Sequence, residues 1–75
     1  MYTIIGEVKD REKKFNMNET ENFLTKANEL IRLEEIKKHV FFVFSSGGFQ
    51  EDVLAFFRAN CIMWSTNEKW LDQKL

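Results

Sequence analysis

The sequence predicts an α/β fold: a small, three-stranded, mostly parallel sheet in β-α-β-α-β-α order. Three observations lead there. Val40-Phe41-Phe42-Val43-Phe44 is five apolar residues without alternation, the pattern of a strand buried on both faces, as in parallel sheets covered by helices. Stretches with apolar residues at helical spacing lie on either side of it. Residues 2–9 are β-branched and apolar enough for a strand of their own. Strands alternating with helices imply parallel pairing through right-handed crossovers.

Along residues 2–9, a period of two puts Thr3, Ile5, Glu7 and Lys9 on one face and Ile4, Gly6 and Val8 on the other. Asp10 to Phe15 is a charged connector. Asn18, with Glu21 three residues on, is a variant capping box that opens the first helix. Its stripe is Phe23, Ala27, Leu30 and Ile31, with Leu24 at the margin. Leu33 and Ile36 fall off that stripe, so the helix is expected to end or bend near Arg32–Glu34. After the 40–44 strand, Ser45-Ser46-Gly47-Gly48 is a turn. A second helix over about 50–60 carries Glu51 and Asp52 in its first turn, where the helix dipole favours acids. Val53, Leu54 and Phe57 form its buried stripe, Phe56 flanks it, and Asn60 is a candidate left-handed cap. Phe49 and Leu54 have the spacing of a hydrophobic staple. Ile62-Met63-Trp64 is a short third strand. Thr66 or Asn67 then caps a last amphipathic turn with Trp70, Leu71 and Leu75.

Bulk properties narrow the function. Seventy-five residues make one domain with a thin stability margin, of the size that commonly needs a staple or a partner. Eight phenylalanines and an apolar fraction of 44% exclude disorder. The single cysteine, Cys61, excludes an internal disulfide, argues against a cysteine-based zinc site, and fits a reducing, cytoplasmic compartment. A net charge of −1 provides no basic field for phosphate contacts, so any nucleic-acid binding would need a local patch or another region. No run is long enough to span a membrane. The amino terminus has no signal-peptide pattern.

Few side chains carry chemistry. Glu7 and Lys9 point the same way on a strand, so a cation held by Glu7 would sit beside the Lys9 ammonium, an arrangement suited to phosphodiester hydrolysis. Taken alone, Glu-x-Lys reads more simply as the polar end of a strand with a weak surface pair. Glu19 and Glu21, at the start of the first helix, are candidate accessory ligands, against their plain role as acids at a helix amino terminus. The Phe44-to-Asp52 turn is neither a Walker loop nor a dinucleotide fingerprint. His39 is read as an ordinary strand-end residue, Cys61 as a small core residue, and Trp64 and Trp70 as packing rather than base-stacking platforms.

Together the stretches "IIGEVK", "NETENFLTKANELI" and "KHVFFVFSSGGF" resemble the second half of a PD-(D/E)XK, or restriction-endonuclease-like, domain. The order "GEVK … FLTKANEL … VFFVFSSGGFQEDVLAF" is similar to nuclease-like domains at the carboxy termini of prokaryotic, archaeal-type ATPases. The resemblance implies that Glu7 is the metal-binding acid, that Lys9 is the catalytic lysine, and that Mg2+ or Mn2+ is the cofactor. Nucleic acid would be the substrate of the full-length parent. It also implies that a strand carrying the first acid lies upstream, so this chain is expected to be a fragment, inactive alone. The alternative is a non-catalytic interaction module that completes its sheet with a missing upstream segment or with a second copy. A nucleotide- or flavin-binding half-domain ranks last, for want of the glycine fingerprint.

Overall fold

The structure, a computed structural model, describes residues 2–66. Its elements are β1 (Thr3–Lys9), α1 (Met17–Glu34), β2 (His39–Ser45), α2 (Glu51–Ala59) and β3 (Met63–Ser65). The expected parallel α/β architecture is present. The last amphipathic turn, with Trp70, Leu71 and Leu75, lies outside the described residues.

The sheet order is β1-β2-β3, with β2 in the centre. β1 runs parallel to β2 from Thr3 opposite His39 to Lys9 opposite Ser45. β3 pairs with β2 from Phe42 opposite Met63 to Phe44 opposite Ser65. Successive right-handed crossovers stepping one way along a sheet drop both helices on the same face. Ile5 and Val43 accordingly share one core with Phe23 and Ala27 of α1 and with Val53 and Phe57 of α2. The Phe23 ring lies 5.7 Å from Phe41, and the Phe57 ring 5.9 Å from Trp64. On the opposite face Phe42 and Phe44 are buried, whereas Ile4, Val8 and Met63 are each more than half exposed.

Three local expectations are corrected. The first helix is capped by Asn16, not Asn18, and its capping box closes with Glu19 rather than Glu21. The sequence holds two overlapping Asn-x-x-Glu patterns, and the burial of Phe15 decides between them. Phe15 is fully buried and bridges in parallel to Phe49, its N–H donating to the Gly48 carbonyl and its own carbonyl accepting from Gln50. With Phe15 fixed there, Asn16 is the residue placed to cap. At the end of α2 the left-handed residue is Cys61 (φ 57°), not Asn60, and Cys61 is exposed rather than a core residue. The Ile62 N–H reaches back to the Phe57 carbonyl in a Schellman bond, which buries Ile62 and turns Cys61 outward. α1 ends where expected, at Glu34, with Glu35 in the left-handed conformation.

Candidate functional site

Alternation places Glu7 and Lys9 on the helix-covered face of β1, opposite Val43 and Ser45 of β2. Both are half-buried. A cavity of about 180 Å³ opens beside Glu7 between β1 and α1, lined by Ile5, Gly6, Glu7, Phe23, Lys26, Ala27 and Leu30. Its wall is apolar apart from Glu7 and Lys26. Sequence reasoning missed Lys26. Its signal was there, since Lys26 lies three residues after Phe23 and next to Ala27 on the stripe.

The accessory acids do not join Glu7. Glu19 accepts from the Asn16 backbone N–H and forms an ion pair with Arg11. The Arg11 guanidinium, by hydrogen bonding, holds the Glu19 carboxyl below its ordinary value of 4.5. Partial burial opposes this, and the Asn16 bond and the charges of Arg11 and Lys13 add to it. Glu19 is therefore committed to the helix cap and the connector. Glu21 is exposed. Among the described residues no three His, Cys, Asp or Glu side chains stand together to hold a metal ion. Among the described residues, Glu7 is the one carboxylate lining this cavity, and water would have to supply most of the ligands of a hard cation held there.

The connector after β1 is built tightly. Arg11 N–H donates to Ser46 Oγ at 2.8 Å, and that hydroxyl lies 3.0 Å from both Asp10 Oδ1 and the Arg11 carbonyl. Ser46 N–H donates to the Lys9 carbonyl. Gly47 packs so closely under this loop that a Cβ there would come within 2.6 Å of the carbonyl oxygens of Arg11, Glu12 and Lys13. The glycine turn is thus the floor on which the exit of β1 rests. Ser45, opposite Lys9, is fully buried, and its Oγ makes no hydrogen bond among the described residues.

A second, more open groove of about 480 Å³ runs beside β3, lined by Phe57, Arg58, Cys61, Ile62, Met63 and Trp64. The Arg58 guanidinium lies over the Trp64 ring, 5.6 Å from its centroid, in a cation–π contact. His39 starts β2, exposed, with its ring 5.0 Å from Phe41. No helix of the described residues is long and apolar enough to cross a membrane. Comparison with protein-family models, with curated proteins and with solved structures finds no match.

Proposed function

We propose that this chain is an incomplete α/β module that acquires its function when another polypeptide segment pairs with the outer edge of β1. That segment is either a stretch upstream in a longer parent or a second copy. The reading follows the resemblance to restriction-endonuclease-like domains of larger ATPases or nucleases. Glu7 and Lys9 are half of a divalent-metal phosphodiesterase site, and the remaining carboxylate arrives with the covering segment. The chain alone is inactive, and nucleic acid is the substrate class of the completed parent. A lone, free cysteine supports a cytoplasmic setting.

One observation carries this reading. Glu7 and Lys9 sit together, half-buried on one face, on the strand whose outer edge no described strand covers. In parallel α/β sheets, ligand sites gather at the carboxy ends of strands, where this pair lies. A Mn2+ titration followed by amide line broadening tests it. Broadening is expected to centre on Glu7 to Lys9, to exceed that at Glu51 and Asp52, and to vanish in Glu7→Gln. Equal broadening at all exposed acids would reduce Glu7 and Lys9 to the polar end of a strand. The chain would then be an interaction module without metal chemistry.

A further inference from the structure

We propose that the segment covering β1 is β1 of a second copy of this chain, running antiparallel about a two-fold axis at Gly6. The proposal rests on the open-edge part of the reading above and is independent of its metal chemistry.

The argument begins with the direction of the backbone groups. Thr3 N–H donates to the Lys38 carbonyl at 3.0 Å, and the Lys9 carbonyl accepts from Ser46 N–H at 3.1 Å. The N–H and C=O of one strand residue point to the same side, and successive residues alternate. Odd-numbered residues of β1 therefore address β2, while Ile4, Gly6 and Val8 direct their donors and acceptors to the outer edge. Pairing Gly6 with Gly6 sets Ile4 opposite Val8 and Val8 opposite Ile4. Directly opposed residues of this type exchange both hydrogen bonds, so the outward groups of all three residues find partners.

The side chains fit the same register. On the open face Ile4 meets Val8 twice, which covers parts of two exposed apolar residues. On the helix face Glu7 lies opposite Ile5 and Lys9 opposite Thr3, so no like charges are directly opposed. Leu30 lines the cavity beside Glu7 at this edge of the sheet, and both it and Leu33 on the next turn of α1 are exposed. A two-fold axis at Gly6 brings this flank of α1 towards its own copy.

Two of the usual guards of an edge strand, proline and bulges, are absent, and the inward charges of Glu7 and Lys9 are met in this register by Ile5 and Thr3 rather than by like charges. The chain has no proline, and the β1–β2 register runs without interruption. A net charge of −1 sets up little repulsion between copies.

Sedimentation equilibrium of the full chain, from micromolar to millimolar concentration, is the test. A reversible dimer is expected. Ile4→Lys/Val8→Lys opposes like charges in both symmetric pairs and should weaken the dimer about tenfold or more. Ile4→Lys/Val8→Glu opposes unlike charges and should restore it. Both positions are more than half exposed, so the protomer tolerates either pair of changes, as circular dichroism will confirm. A monomer at millimolar concentration overturns the proposal, whatever Mn2+ does at Glu7. A dimer that both double variants affect equally also overturns it, because its interface or register is then a different one.

Discussion

β1 and β2 have the same length, run parallel in one unbroken register and each donate side chains to the same core. They nevertheless behave as different objects. In β2 the four residues from Phe42 to Ser45 are all buried, whereas in β1 Ile5 alone is. Among the described residues β2 has a strand on each side, and β1 has one. The contrast follows position more than apolarity, since Ile4 and Val8 are as apolar as Val43. A strand in the middle of a small sheet is finished by its neighbours. A strand at the edge leaves half of its backbone groups to be satisfied from outside or by water.

The turn after β2, on which the exit of β1 rests, gives the largest expected effect. Gly47→Ala drives a methyl group against three backbone carbonyls that cannot swing away, and should cost about 3 kcal/mol in chemical denaturation. A loss below about 1 kcal/mol would show that the clamp on the exit of β1 is loose. Next come two equivalent truncations. Val43→Ala empties a fully buried site and should cost about 2 kcal/mol, whereas Val8→Ala, more than half exposed, should cost under about 0.5 kcal/mol in the dilute chain. Similar losses at both sites would erase the distinction between the strands.

A smaller effect is expected at Glu19, which ties the connector of β1 to the cap of α1. Its carboxyl is held below 4.5 in the folded chain, so its contribution is present above that value and is lost as pH falls through the lowered folded value. Wild-type stability should therefore decline below about pH 4.5 more steeply than that of Glu19→Gln, whose cap loses the charged partner of Arg11 at every pH. Parallel acid profiles would mean that the Arg11–Glu19 pair contributes nothing. The smallest change is Ser45→Ala. It removes a buried hydroxyl with no partner among the described residues, and should leave stability unchanged or raise it slightly. A loss of about 1 kcal/mol or more would reveal a bond to that hydroxyl.

Much of the fold was legible because its strongest signals are local. The run Val40 to Phe44 declared its own burial, and the stripe from Phe23 to Ile31 declared a helix. The parts that were hidden depend on contacts distant in sequence. Nothing near Phe15 announces that it will bridge to Phe49 and bury completely, yet that bridge moves the cap from Asn18 to Asn16. Cys61 turned outward because one residue of helix length decides which position becomes left-handed. The candidate site was half legible. Alternation put Glu7 and Lys9 on one face, but which residues of α1 line the cavity beside Glu7 depended on crossover geometry, and they include Lys26 rather than Glu19 or Glu21.

The central claim is that β1 is an edge with outward groups at Ile4, Gly6 and Val8. Residue-resolved amide hydrogen exchange in dilute solution tests it most directly. Protection is expected to run consecutively through Phe42, Val43 and Phe44, but to alternate in β1, high at Ile5, Glu7 and Lys9 and near the unprotected rate at Ile4, Gly6 and Val8. Uniform protection along β1 in the dilute monomer would show that the edge is already covered, and would contradict the account.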